Sequence, residues 1–277
     1  MKKIYNIAII VWNQDLAGMN IKSHLEKMLT KLHNTAIKTK IHIITKRHIQ
    51  ADNLDKEINA DLFIFTTTHR SEANKKTLCV HPIGIYSDDI SLGGKAHTIV
   101  PTSPWLIRNI FLEMSNLKQD YPGLAEFEVS VEQSHHGPFL EKPVLFVEIG
   151  STEAEWTNKD AGELIAKAVF NALLRFNPTE IDKTCACILG GGHYNQIANK
   201  ILLRTEYSMG HICSKYALEH LNEDMIKQMK EKTDPDNPIL FIFDWKSCGK
   251  EKQRIVDILD KLGYEWKKSK EILKTEE

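Results

Sequence analysis

The chain alternates between short, almost wholly apolar runs and longer stretches in which apolar residues return every three or four positions. Runs at 4–12, 40–44, 61–65, 143–149, 184–189 and 238–243 predict β-strands. Several are too uniformly apolar to leave one face in solvent, as in a parallel sheet covered on both sides. Residues 158–176 put Ala161, Leu164, Ile165, Ala168, Val169, Ala172, Leu173 and Phe176 on one stripe, with Thr157 or Asn158 able to cap the start. The same spacing predicts helices over 18–33, 103–117, 195–204, 222–232 and 249–262, the second of these opening on Ser103-Pro104. Residues 126–131 alternate polar and apolar side chains, as a half-exposed strand does. Residues 66–98 are the longest stretch with no clear element, and a loop of that length in a compact domain is usually functional or partly ordered. The alternation predicts an α/β fold, a three-layer α/β/α sandwich around a mixed, largely parallel sheet, in one domain over 1–277.

Composition narrows the class. With 42% hydrophobic and 26% charged residues in 277, the chain can bury a sizeable core and lacks a disordered composition. Lys2-Lys3 followed by apolar residues 4–12 is too short, and carries no cleavage pattern, to read as a signal sequence. No apolar stretch approaches the roughly 20 residues that span a bilayer. The five cysteines, Cys79, Cys185, Cys187, Cys213 and Cys248, are odd in number and scattered, which fits a reducing cytoplasm rather than a disulfide framework. Cys185 and Cys187 share one face of a strand, as buried free thiols. The net charge of −1 conceals an asymmetry: residues 1–50 hold nine Lys/Arg against two Asp/Glu (+7), and 51–160 hold nine against seventeen (−8). The basic region has the charge to meet a polyanion such as RNA, and equally the charge of a solvated helix face.

Four apolar strands run into polar chemistry: Ile64-Phe65 toward His69, Phe146-Val147 into Glu148, Ile188-Leu189 toward His193, and Ile242-Phe243 into Asp244. If these strands are parallel, the four groups emerge on one rim, where α/β proteins place ligand crevices. Gly190-Gly191-Gly192-His193-Tyr194 joins a strand to a helix, so its amides and the helix start are expected to face an anion or a carbonyl oxygen. It is neither a P-loop nor a dinucleotide fingerprint. His135-His136 closes the alternating strand, and in extended backbone one imidazole must point away from the other. His69, His81, His135 or His136, Glu148 and His193 supply the nitrogen and oxygen donors zinc prefers, for one or two ions. No His-Glu-x-x-His helix is present, so a metal-free site with histidine as general base is the alternative. Ser71 and Ser151 lack a nucleophile elbow, Cys79 near His81 leaves a thiol mechanism open, and Trp156 and Trp245 are available for stacking or for packing.

Taken together, several segments resemble the archaeal and plant type of D-aminoacyl-tRNA deacylase. These are Phe65 to Ser71, Gly93-Gly94-Lys95, Glu132 to Pro138, Phe146 to Ser151 with Glu155-Trp156, Ala161-Gly162-Glu163, Gly190 to Tyr194, Gly210-His211-Ile212 with Lys215-Tyr216-Ala217, and Asp244-Trp245-Lys246. They occur in the family's order over nearly the whole chain. The resemblance implies hydrolysis of the ester joining a D-amino acid to the terminal ribose of tRNA, two zinc ions, a monomer, and a fold related to nucleoside phosphorylases and peptidyl-tRNA hydrolases. It places His69, His135, His136, Glu148 and His193 at the reacting centre. His69, His81, His136, Glu148 and His193 become the metal candidates, and His81, Lys95, Gly191, Gly192, Tyr194, His211, Asp244 and Lys246 the substrate-side candidates. Where the family has His-x-Thr-Gly-Asn, this chain reads His81-Pro82-Ile83-Gly84-Ile85. The rivals are a metal-dependent hydrolase or phosphorylase of small molecules and a non-catalytic RNA-binding protein.

Overall fold

A computed structural model describes residues 4–71, 74–178 and 184–274; Lys2 and Lys3 lie outside them. The first sheet contains β1 (Tyr5–Trp12), β2 (Ile37–Ile44), β3 (Leu62–His69), β4 (Thr77–His81), β7 (Glu128–Val131) and β8 (Val144–Gly150). Between β4 and β7 in sequence, β5 (Gly84–Ile85) and β6 (Thr98–Ile99) pair only with each other. The sheet order is β2-β1-β3-β8-β4-β7, with β2, β1, β3 and β8 parallel, β4 antiparallel to β8, and β7 parallel to β4. The helices are α1 (Leu16–Leu29), α2 (Leu54–Glu57), α3 (Pro104–Leu117), α4 (Glu153–Trp156), α5 (Lys159–Arg175), α6 (Gln196–Arg204), α7 (Glu223–Thr233), α8 (Lys252–Leu262) and α9 (Ser269–Lys274). The mixed α/β architecture around a large, mostly parallel sheet agrees with the apolar periodicity.

One feature differs from the single rim expected. β9 (Cys185–Leu189), β10 (Ser208–Cys213), β11 (Ile239–Phe243) and β12 (Trp266–Lys268) form a separate parallel sheet in the order β10-β9-β11-β12. His69 and Glu148 therefore come from one sheet, and His193 and Asp244 from the other. The stretch 66–98 is also more structured than its composition suggests, since it completes β3 and supplies β4, β5 and β6.

Apolar side chains on the two faces of each strand fill different cores. One face of the first sheet, through Ile7, Ile9, Leu62 and Ile64, packs with the stripe of α5 and with α1 and α3. Asn158 caps α5 by accepting the Ala161 N–H, and Ser103 caps α3 by accepting that of Leu106. The opposite face carries Ala8, Ile10, Phe63, Phe65 and Phe146. Phe65 and Phe146 stack with centroids 4.7 Å apart, worth about 1 kcal/mol beyond their buried area. By register this face continues from Phe65 and Phe146 to Thr67, Glu148 and His69, so the aromatic layer forms the floor on which the polar groups are mounted. Cys185 and Cys187 pack together in the core beyond the second sheet, as free buried thiols.

Candidate functional site

Glu148 lies in the middle of its sheet, opposite Thr67 on β3 and Cys79 on β4. Its Oε1 accepts the Thr67 hydroxyl at 2.9 Å, and its Oε2 lies 3.2 Å from His69 Nδ1. His81, at the end of β4, brings Nε2 to 3.7 Å from Oε1, and His136 Nε2 is 3.9 Å from the same atom. A second carboxylate follows β7: Glu132, fully buried, accepts from His193 Nε2 at 3.0 Å and lies 3.5 Å from His69 Nδ1 and 3.8 Å from His135 Nε2. Five imidazoles and two carboxylates thus converge where the sheets meet. A cavity of about 530 Å³ opens onto them, lined by His69, His135, His136, Glu148 and His193, with His81 and Glu132 buried behind that wall.

The chain fixes these imidazoles in one orientation. Nδ1 of His81, His135 and His136 donates to the backbone carbonyls of Pro82, Gln133 and Gly137 at 3.0, 2.9 and 2.6 Å. A carbonyl can only accept, so each Nδ1 carries the hydrogen and each Nε2 is turned toward the cluster, as in histidines that bind metal through one nitrogen while the other donates to a carbonyl. His136 adopts a left-handed φ of 46°. The backbone is therefore not extended there, the condition under which adjacent rings diverge, and the two ring centroids lie 4.4 Å apart in the same cluster.

Potential ligand atoms fall into three overlapping groups, His81/His135/His136, His69/Glu132/His193 and His81/Glu132/Glu148, each with its atoms within 4.8 Å of one another. His81 Nε2 and Glu132 Oε1 are buried without a hydrogen-bond partner, as expected where a cation completes the coordination. Burial lowers the His69 pKa, but the hydrogen bond to Glu148 and the charges of Glu132 and Glu148 outweigh it and raise the value to about 9. Burial likewise opposes ionisation of Glu148, and His69 and His81 overcome it, holding the carboxyl well below its usual range. Burial, with His81 beside it, pushes His136 down to about 3, and burial with three neighbouring imidazoles pushes His135 well below the ordinary value. The site therefore favours positive charge next to its carboxylates and keeps two imidazoles neutral, which suits a divalent ion bound by nitrogen and oxygen. The donor set fits a metal.

Other sequence-predicted residues are placed differently. Tyr194 joins the site, its hydroxyl 2.8 Å from His69 Nε2. The Gly190 and Gly191 amides donate to Cys213 O and Ser247 Oγ, and Asn195 caps α6 through the Ala198 N–H while donating to Gly190 O. These two glycine amides are committed to the turn rather than turned to an oxyanion, and Gly192 does not line the cavity. His211 is buried in β10 against Ser134 Oγ at 3.0 Å, and burial pushes its pKa down to about 3. Asp244 and Lys246 sit in the turn after β11, and Lys95 lies 5.6 Å from the Phe139 ring centroid; none of the three lines the cavity. Asp244 stays in its turn, with its N–H on Leu189 O and its carbonyl accepting from Ser247 N, whereas His193 of the same sheet reaches the cavity. Cys79 is fully buried, and burial raises its thiol well above the usual value, which removes the thiol mechanism. Ser151 Oγ donates to Lys75 O, Trp156 Nε1 to His69 O, and Trp245 stacks on Trp266. In the divergent 81–85 segment, Ile83 and Ile85 are buried, and Ile83 bridges to His135, so the altered positions pack behind the site.

Sequence reasoning missed Glu132 and the pair His48 and Asp15. The signal for Glu132 was available: an alternating strand ending in a carboxylate three residues before an imidazole. His48 lines the cavity with Nδ1 3.6 Å from Asp15 Oδ2, and Asp15 also accepts from Gly18 N and from Thr68 N and Oγ1. Trp12, Arg47 and Arg70 complete the rim.

Residues 56–267 match the family model described as D-aminoacyl-tRNA deacylase. The D-aminoacyl-tRNA deacylase of Methanocaldococcus jannaschii is 33% identical over 94% of this chain and 98% of its own length. That of Methanosarcina acetivorans is 36% identical over 96% and 93%. A crystal structure described as a conserved protein of unknown function superposes with a TM-score of 0.85 at 29% identity, over 99% of this chain and 98% of that one. The chain belongs to the D-aminoacyl-tRNA deacylase family.

Proposed function

We propose that this protein hydrolyses the ester bond of D-aminoacyl-tRNA, releasing the free D-amino acid and tRNA, with zinc held by the imidazole and carboxylate cluster. The observation that carries the reading is the convergence of His69, His81, His135, His136, His193, Glu132 and Glu148 on one cavity in a chain of this family. The reading of two ions is supported by two groups that share no residue, His81/His135/His136 and His69/Glu132/His193. Bound there, zinc supplies Lewis acidity toward the ester carbonyl and the attacking water.

The chain's own residues do the rest. Glu148 lies between the two groups and holds positive charge beside the cavity through His69 and His81. Tyr194 and Glu148 fix the His69 ring from its two nitrogens. His193, whose side chain keeps 31% of its exposure, is aligned by Glu132 on one nitrogen and Gln133 on the other. With His193 held in place at the cavity wall, the water oxygen joins the carbonyl carbon as the carbon–oxygen ester bond breaks, and the proton lost by that water passes to the departing ribose oxygen. The five free, buried cysteines support a reducing cytoplasmic location, and among the described residues no helix is long and apolar enough to cross a membrane. The protein acts as a monomer, with tRNA as its partner.

The test compares D-tyrosyl-tRNA and L-tyrosyl-tRNA with zinc present, following free amino acid. The D-form is hydrolysed at least about 100-fold faster, since a pocket built around one enantiomer leaves polar groups of the other unpaired. Equal cleavage of both, or of neither, removes the assignment.

A further inference from the structure

The reacting cluster occupies the same sheet face as a line of basic side chains on the edge strand. Along β2, Lys38, Lys40 and His42 pair in register with Asn6, Ala8 and Ile10, so their side chains project on the face that carries Phe65 and Phe146 and, further along, Glu148 and His69. The same register puts Trp12, a lining residue of the reaction cavity, opposite Ile44 on this face. The distance along the strand from Lys38 to Ile44 is about 20 Å at roughly 3.3 Å per residue.

A furrow between β2 and α2 follows this line. One hollow of about 340 Å³ is lined by Lys38, Lys40 and His42 and a second of about 240 Å³ by Lys46, with Glu57 lining both, and Arg47, next to Lys46 in the chain, lines the reaction cavity. Among the described residues, Lys38, Lys40, Lys46 and Arg47 have no carboxylate partner. Glu57 lines both hollows and Asp52 the second, both from the 51–60 segment across from β2, so the cations belong to the β2 side. Unpaired cations at short intervals in a groove suit the phosphates of an extended single strand, because each contact releases condensed counterions.

We infer that the furrow beside β2 holds the single-stranded 3′ end of tRNA and leads its terminal ribose to the imidazole cluster. The inference rests on the tRNA reading above and adds the path by which that substrate enters. It uses β2 and the turn after it, whereas the Lys246 turn and Lys95 lie off the path.

Binding of uncharged tRNA to the full chain separates this inference from the reaction. The wild type should bind intact tRNA about tenfold more tightly than tRNA trimmed of its single-stranded 3′ end, and Lys38→Ala/Lys40→Ala should erase that preference. The double variant should also flatten the slope of log affinity against log salt by about 1.5, the value for two lost phosphate contacts. Lys200→Ala/Lys270→Ala removes the same charge from exposed positions on α6 and α9 and should keep the preference. The inference is overturned if the wild type binds intact and trimmed tRNA equally, if Lys38→Ala/Lys40→Ala keeps the preference, or if the control pair erases it too. A wild type that shows the preference yet hydrolyses no D-aminoacyl-tRNA overturns the reaction and leaves the furrow standing.

Discussion

Glu132→Gln lowers hydrolysis of D-aminoacyl-tRNA by about a thousandfold and removes bound metal from the same samples. The substitution preserves shape, so the loss isolates the charge. Glu132 is fully buried, holds His193 through a 3.0 Å bond, and keeps a second oxygen without a hydrogen-bond partner 3.5 Å from His69. Burial opposes its ionisation, yet the bond from His193 and the charges of His69 and His193 bring its pKa below the ordinary carboxylate value. An amide there supplies one acceptor and no charge, leaving the neighbouring imidazoles without the anion that orients them and helps retain a cation. Steady-state hydrolysis together with elemental analysis checks this. A variant within tenfold of the wild-type rate would place Glu132 outside the chemistry.

Gly93→Ala destabilises the fold by about 4 kcal/mol, roughly 10 °C in Tm. Gly93 has a φ of +77°, and a Cβ there would stand 1.7 Å from Ile49 O, a backbone atom with no easy escape. The neighbouring Leu92 carbonyl accepts the Gly137 N–H at 3.0 Å, directly after His136. Displacing the loop thus loosens the turn that bends His136 into the cluster. Gly263→Ala supplies the contrast: its φ is +68° with nothing within 4 Å of the added carbon, so it costs only about 1 kcal/mol for the backbone conformation. Thermal unfolding of both variants reads the difference, and equal losses would mean that the contact with Ile49 is unimportant.

What the chain reveals before folding is its local periodicity. The runs behind β1, β3, β8, β9 and β11 are continuous enough to be read directly, and so is the stripe of α5. β4 escapes because Leu78-Cys79-Val80 is short and framed by Thr77 and His81, and β10 because Ser208, Gly210 and His211 interrupt its apolar pattern. The division into two sheets depends on which edges pair, a tertiary choice that strand composition does not encode. Nor does strand composition tell which strand end of the second sheet meets the first: His193 after β9 does and Asp244 after β11 does not. The orientation of His136 is not legible in the sequence for a backbone reason: a left-handed turn, which residue identity does not announce, replaces the extended geometry in which adjacent rings diverge. The resemblance marked Glu132 to Pro138 as a segment, but only the fold shows that its carboxylate sits among the imidazoles.

Whether this imidazole and carboxylate cluster hydrolyses D-aminoacyl-tRNA through bound metal is decided by a zinc titration. Protein stripped by chelation and dialysed is given zinc in steps while hydrolysis of D-tyrosyl-tRNA is followed. The stripped protein should show no hydrolysis, and the rate should rise with added zinc and saturate at two equivalents per chain. Full-rate hydrolysis by stripped protein whose metal content is verified as negligible would contradict it.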